Sequence, residues 1–351
     1  MARTKIRDVA QEAGVSVATV SLVLNDAPAR ISDETRRRVR EAAERMHYRP
    51  NATARGLRTR RSRTVGVVSV GIVSTPFAGR MIAGLQDVAR ERGYLVFLAD
   101  TDDDPDTEAA AIRAYSDQQV ETMIYASMFH KVVEPPKGLA PGAVFLDCRP
   151  ADGGSPAVVP DDLGGGRAAT QELIDAGHER IAYVDADEAP RPAAAELRFQ
   201  GHLEALAAAG IAARPELHLA AEVSGQGGRH AIETLWALPE PDRPTAIFFF
   251  NDRQAAGAYL AAHRLGVDIP ADLSVVGYDD QQFVAAEQDP PLTTIALPHY
   301  EMGRWAMETA LGFGATPSGP GQTHLMPCPL IRRASVGPPP TRSTGRRRSA
   351  L

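Results

Sequence analysis

Four polar residues of this chain have the chemistry to read a hydroxylated ligand. Asp147, Asn251 and Asp279 each follow a short apolar run, and Arg198 begins a helical stretch after another. Aspartate and asparagine accept or donate hydrogen bonds in pairs, and arginine donates in a fork. Together they suit vicinal hydroxyls; each alone also fits a strand-end cap or a surface ion pair. Phe77 is a fifth candidate, either stacked on a ligand or packed in a cleft. Catalytic signatures are missing: the chain has no phosphate loop, no G-x-S-x-G elbow and no H-E-x-x-H. Gly164, Gly165 and Gly166 open a helix and could meet an anion. They lack the dinucleotide-fingerprint spacing, and close packing also explains small residues there. Cys148 and Cys328 are the only cysteines and fit no metal spacing. The expectation is a protein that is not an enzyme and carries no cofactor and no metal.

A second chemistry lies in charge. Residues 1–63 hold fifteen Lys and Arg against seven Asp and Glu, a net +8 in a chain whose total is −6. The remainder therefore carries −14. A basic head on an acidic body concentrates attraction for a polyanion in the head.

The elements that must position these groups are legible in outline. Thr4 can cap a helix from about Lys5 to Ala13, whose Ile6, Val9, Ala10 and Ala13 recur at helical spacing. Gly14 suits a left-handed turn, and Ser16 can cap a second helix, Val17 to Leu24. Val20, Val23 and Leu24 face the core, which leaves Val17, Ala18, Ser21 and Leu22 outward. Ser32 caps a third helix with the stripe Val39, Ala42, Ala43 and Met46. Helix–turn–helix spacing places the start of the second helix against base edges. A short helix from Asn51 to Leu57 follows, in an arginine-rich segment. Leu57 is either a minor-groove wedge or linker packing.

From Thr64 the pattern becomes strand–helix alternation, which means parallel sheets. The strand runs are Val65–Val70, Tyr94–Ala99, Thr122–Ala126, Ala143–Asp147, Arg180–Val184, Ala246–Phe250 and Leu273–Tyr278. A break near Pro160 divides them into two units. Leu292–Pro298 and a helix from Tyr300 are left over and could return to the first unit. No apolar run reaches the roughly 20 residues that span a bilayer. The N-terminus lacks the apolar core of a signal peptide. A cytoplasmic protein is expected.

The head resembles that of the lactose-repressor/galactose-repressor (LacI/GalR) family of bacterial transcription regulators. The resemblance rests on D-V-A-x-x-A-G-V-S-x-x-T-V-S (Asp8 to Ser21), Asn25, S-x-x-T-R-x-x-V (Ser32 to Val39) and Y-R-P-N-x-x-A-x-x-L (Tyr48 to Leu57). The body adds Pro76-Phe77, Asp161-Asp162 with Gly165-Gly166, G-H-x-R-I-A at Gly177, R-x-x-G at Arg198 and N-D at Asn251. S-V-V-G-Y-D-D at Ser274, P-P-L-T-T-I at Pro290 and Y-E-M-G at Tyr300 complete it.

The resemblance implies an all-α helix-turn-helix head on an α/β bilobed, periplasmic-binding-protein-like body with two parallel-sheet lobes. It implies a DNA-binding domain over 1–49, a hinge over 50–63 and an effector domain over 64–333. The first lobe is expected over about 64–160 and 292–322, the second over 161–291 and 323–333, with a disordered tail, 334–351. It implies DNA contacts from Thr4, Ser16, Val17, Ala18, Thr19, Ser21, Leu22, Asn25, Asn51, Ala54, Arg55 and Leu57. Leu57 would pair with its dimer mate at the operator centre. Effector contacts would come from Phe77, Asp147, Arg198, Asn251 and Asp279.

The implied function is a homodimeric repressor whose affinity for a double-stranded operator is set by a sugar-like or nucleobase-like effector. The alternative is a regulator that has lost its ligand response. Three positions depart from the family. Leu22 stands where many members place Arg, Val223 where some carry a stacking aromatic, and Ala194 where others have Ser.

Overall fold

The structure, a computed structural model, describes residues 4–25, 28–48, 62–72, 78–314 and 323–340, which divide into two compact units, residues 1–63 and 64–351.

The head holds α1 (Ile6–Ala13), α2 (Val17–Leu24) and α3 (Asp33–Arg45). Its core is Val9, Val20, Val23, Val39 and Ala42, all fully buried. The turn between α1 and α2 needs Gly14, whose φ is 60°. Ser16 and Ser32 cap as expected, accepting from the backbone N–H of Thr19 at 3.1 Å and of Thr35 at 3.3 Å. Thr4 does not cap α1. Lys5 holds that position, with its N–H donating to Asp8 Oδ2 at 2.8 Å. The Thr4 hydroxyl instead donates to the carbonyl of Met46 at 3.1 Å and ties the chain start to the end of α3.

The body's first sheet is built from β1 (Thr64–Val70), β2 (Leu95–Asp100), β3 (Thr122–Val133), β4 (Val144–Pro150), β5 (Ala157–Pro160) and β11 (Thr323–Met326). Their order is β11-β5-β4-β3-β1-β2, parallel throughout. The second sheet holds β6 (Ile181–Ala186), β7 (His218–Ala221), β8 (Ala246–Phe249), β9 (Ser274–Asp279), β10 (Thr293–Ala296) and β12 (Leu330–Ile331). Its order is β12-β10-β9-β8-β6-β7, and only β12 runs antiparallel.

Helices α4 (Gly79–Arg92), α5 (Pro105–Asp117) and α10 (His299–Ala310) cover the first sheet. Helices α6 (Asp162–Asp175), α7 (Ala193–Ala208), α8 (Gly225–Trp236) and α9 (Asp252–Leu265) cover the second. Helix pairs approach at glycines. A Cβ on Gly84 would overlap the backbone of Tyr300, one on Gly166 that of Arg198, and one on Gly228 that of Gln254. This explains Gly165 and Gly166: Gly165 packs under the Tyr278 ring, and Gly166 lets α7 close on α6. Gly164 donates its N–H to Asp161, the cap of α6, at 2.9 Å. The packing explanation fits these glycines better than an anion site.

Two expected boundaries fail. Leu292–Pro298 does not return to the first lobe, because β10 pairs with β9 in the second sheet. Only the helix after it, α10, returns, and it packs Met302, Ala306 and Met307 into the first core. Residues 323–326 belong to the first lobe, not the second, because β11 pairs with β5. The expected tail is also anchored through its first residues. Ser335 donates to the carbonyl of Val275 at 2.6 Å, and Gly337 donates its N–H to Ser274 Oγ at 3.0 Å. Residues 341–351 lie outside the described residues. The chain thus passes between the lobes three times, after β5, β10 and β11. Among the described residues no helix is long and apolar enough to cross a membrane.

Candidate functional site

On the head, Ser16, Val17 and Ala18 are exposed at the start of α2, while Thr19, Ser21 and Leu22 are half-buried on the same helix. Val20 and Val23 are fully buried on its other side. The outward face thus offers the hydroxyls of Ser16, Thr19 and Ser21 beside apolar Val17, Ala18 and Leu22. The Ser16 and Thr19 hydroxyls also bond each other at 2.9 Å, which limits how they can turn. Asn25 is already engaged: its amide donates to the Ser21 carbonyl at 2.6 Å and closes the end of α2. Asn51, Ala54, Arg55 and Leu57 lie outside the described residues.

In the body, Asp147, Arg198, Asn251 and Asp279 come together along one crevice between the lobes, with Ala194 and Phe250 beside them. Asp147 comes from the first lobe and the other three from the second. Asp279 ends β9 and Asn251 caps α9, while Asp147 lies within β4 and Arg198 within α7. The two aspartates have positive φ, 56° for Asp147 and 104° for Asp279. That conformation is uncommon for a non-glycine residue and concentrates at functional sites. Phe77 lies outside the described residues. Val223 does not face a ligand as an aromatic would; it is buried with Ala186, Ala194, Ala195 and Phe250.

Arg198 is the centre of the crevice. It is 4 % exposed. Its Nε donates to Asp162 Oδ1 at 2.8 Å, and its Nη1 to the carbonyl of Phe250 at 2.8 Å. Asp279 Oδ1 lies 3.6 Å from Nη1. The guanidinium sits over the Tyr278 ring at 3.6 Å and the Phe250 ring at 4.6 Å. Burial works against its charge, but Asp162, together with Tyr278 and Asp279, outweighs burial and raises its pKa above the ordinary arginine value. Burial likewise opposes ionisation of Asp162, yet Arg198 and His130 hold that carboxyl below the usual range.

Asp147 and Asp279 differ. Burial, reinforced by the charge of Asp162, pushes Asp147 well above the ordinary carboxylate value. Burial pushes Asp279 up to about 6, against the pull of Arg198. Asn251 caps α9, its Oδ1 accepting the Gln254 N–H at 3.0 Å.

Asp162 and His130 line the crevice and were not among the expected site residues. Asp162, the first residue of α6, is the ion-pair partner of Arg198. His130 reaches the crevice through an irregularity of β3: the register with β4 shifts between Ala126 and Lys131, and Phe129 takes a φ of 67°. Asp162 had a visible signal, the Asp161-Asp162 pair before the glycines. His130 had none, because a strand read by alternation does not announce a bulge. The crevice is tight, with a volume of about 10 Å³, roughly enough for one water.

Two family models match the chain, one for bacterial regulatory proteins of the lacI family over residues 5–51 and one for a periplasmic binding protein-like domain over residues 170–336. The HTH-type transcriptional regulator GalR of Escherichia coli (strain K12) is 35% identical over 340 residues, covering 95% of this chain and 96% of GalR. The chain belongs to the LacI family. The HTH-type transcriptional repressor CytR of the same strain is 34% identical over 337 residues, 94% of this chain and 96% of CytR. Among solved structures, the lac repressor dimer bound to operator and the anti-inducer ONPF superposes with a TM-score of 0.76 at 25% identity, covering 96% of this chain and all of that one. The LacI-family head and the two-sheet body expected from sequence are thus both present, and the chain is a DNA-binding transcriptional regulator of that family.

Proposed function

We propose that this LacI-family regulator is a homodimeric repressor whose operator affinity is set by a small hydroxylated metabolite held between the two lobes. The observation that carries this is the convergence of Asp147, Arg198, Asn251 and Asp279, spread over more than 130 residues of sequence, on one crevice. Paired oxygens and a fork of N–H donors on facing lobes match vicinal hydroxyls. The exposed start of α2 reads base edges, and the basic head supplies the phosphate attraction. Two exposed apolar surfaces support a dimer: Leu95, Phe97 and Leu98 on the edge strand β2, and Leu260 and Leu265 on α9. An uncovered edge strand of this kind needs a partner.

The coupling follows from two states. Admitting a metabolite to a crevice of about 10 Å³ requires the lobes to part or rotate. That movement alters how the two heads of a dimer are spaced, and the ligand shifts the equilibrium by its difference in affinity for the two states. No catalytic step belongs to this function. Its DNA partner places the protein in the cytoplasm.

The test is selection of duplexes from a random pool by the full chain, followed by affinity measurements across salt. The expected result is a two-fold symmetric site and a logarithmic loss of affinity with salt, by orders of magnitude from low to moderate concentrations. A monomer with equal affinity for selected and random duplexes would overturn the proposal. The narrow crevice favours a second reading, an effector-independent regulator. That reading gains if sugars and nucleosides leave affinity for the selected duplex unchanged.

A further inference from the structure

Among the buried polar atoms of the effector crevice, His130 Nε2 and Asp147 Oδ1 have no hydrogen-bond partner among the described residues. Both belong to the first lobe, on β3 and β4. Buried polar atoms are ordinarily satisfied, and an orphan in a cleft marks where another molecule's polar group belongs. His130 is 4 % exposed, and its other ring nitrogen, Nδ1, lies 3.1 Å from Asp162 Oδ2.

That contact fixes which nitrogen carries the proton. Asp162 is ionised and ion-paired to Arg198, so its oxygens only accept. With Nδ1 donating to Asp162, the neutral tautomer compatible with this contact is the Nδ1–H form, which turns the lone pair of Nε2 toward the crevice. Charge adds a second constraint. Three carboxyl groups, Asp147, Asp162 and Asp279, line the crevice, and among the described residues Arg198 is the only Lys or Arg that does. Its guanidinium is already engaged by Asp162 and Phe250. An anionic ester would enter against net negative charge with no uncommitted cation to meet it.

We propose that His130 is a specificity-determining residue of the effector site: its Nε2 accepts a hydroxyl or N–H of an uncharged metabolite, and phosphorylated forms of that metabolite are rejected. This rests on the crevice being the effector site and adds the residue and the charge class. Asp162 acts through His130 as a positioning residue. The bulge in β3 is the structural device that brings the imidazole to the crevice.

The experiment uses the full chain and matched probes, neutral hexoses, disaccharides and nucleosides beside their phosphate esters, read by thermal shift and calorimetry. At least one neutral probe is expected to bind, and its phosphate ester to bind at least about tenfold more weakly. His130→Gln keeps an acceptor near the Nε2 position and should retain affinity within a few-fold. His130→Asn keeps only a donor toward Asp162 and should lose about tenfold or more, as should His130→Phe. Equal affinity in His130→Asn and the parent overturns the role of Nε2, and an ester that binds as tightly as its neutral partner overturns the charge class.

Asp147→Ala separates the two layers of the account. If it also leaves affinity unchanged, the crevice itself is misassigned; if it loses affinity while His130→Asn does not, only the present proposal fails. A parent that binds no neutral probe overturns both. Nitrogen-15 spectra of the imidazole give a readout that needs no ligand. A protonated Nδ1 and bare Nε2 are expected, and the opposite tautomer contradicts the assignment.

Discussion

His130, on the bulge of β3, and Asp162, the first residue of α6, join the two lobes through one buried contact of 3.1 Å, Nδ1 to Oδ2. Asp162 spends its other oxygen on Arg198 at 2.8 Å. The first lobe is thereby linked to the aromatic-sandwiched guanidinium of the second. Buried ion pairs of this kind contribute little net stability, but removing one member is costly because the other is left uncompensated.

Arg198→Ala illustrates this. The substitution strands Asp162 and Asp279 in the crevice and removes a donor to the Phe250 carbonyl. The expected cost is about 3–5 kcal/mol, seen as a fall in the melting temperature of the body on the order of 10 °C. A loss of effector response in this variant is therefore not a clean report of ligand contact. Unchanged melting would show that Arg198 is not the keystone of the crevice.

Asp279→Asn should stabilise the body, and only above mildly acidic pH. Burial raises the folded-state value of Asp279 from 3.8 to about 6. Between these values the folded state binds more protons than the unfolded chain, so stability falls as pH rises and the penalty is complete above the folded value. It amounts to at most about 3 kcal/mol. Melting curves should show Asp279→Asn gaining on the parent at pH 7.5 and not at pH 4. A gain of the same size at both would remove the titration of Asp279 as its cause.

Asp162 contributes with the opposite sign. Its folded value is lowered, so its contribution is present above the ordinary carboxylate value and is lost as pH falls through the folded one. Asp162→Asn should therefore destabilise the body at neutral pH and converge with the parent in strong acid. Parallel melting curves across that range would contradict the ion-pair account.

The head offers a local test. Ser16→Ala removes the side chain that accepts the Thr19 N–H. A lost cap of this type costs about 1 kcal/mol. Operator affinity should weaken with the stability of α2, and Ser16→Asp should restore stability while repelling phosphate. Full affinity in Ser16→Ala would mean that neither cap nor hydroxyl matters for DNA.

Leu22 is half-buried on α2 and has no polar atom to read a base. Leu22→Arg should shift the selected duplexes toward guanine at one symmetric position per half-site, since arginine addresses O6 and N7 together. Identical selected motifs from the two proteins would place residue 22 away from the bases.

Periodicity carried the three head helices, because each has a serine or glycine boundary and an apolar stripe at helical spacing. It carried the long strands of both sheets for the same reason. It missed β5 and β11, four residues each, and α8, whose first turn is glycine-rich where α9 packs against it. The lobe exchange at Leu292–Pro298 was misplaced because strand pairing is a long-range property; nothing within Thr293–Ala296 distinguishes a partner in β9 from one in the first sheet. Asp147, Arg198, Asn251 and Asp279 were found because they follow apolar runs or open a helical stretch and stand at positions that match the family's pattern. His130 was hidden because its position depends on a register shift, and the anchoring of Ser335 because single hydrogen bonds to a sheet edge leave no pattern.

A molecule in the crevice should control the grip of the head on DNA. The direct measurement is the affinity of the full chain for its selected duplex at fixed salt, with and without the neutral probe that best stabilises the protein, in the parent and in Asp147→Ala. A change of about tenfold or more is expected in the parent and none in the variant, with both proteins binding the duplex equally when the probe is absent. An equal change in both, or none in a parent that demonstrably binds the probe, would contradict it.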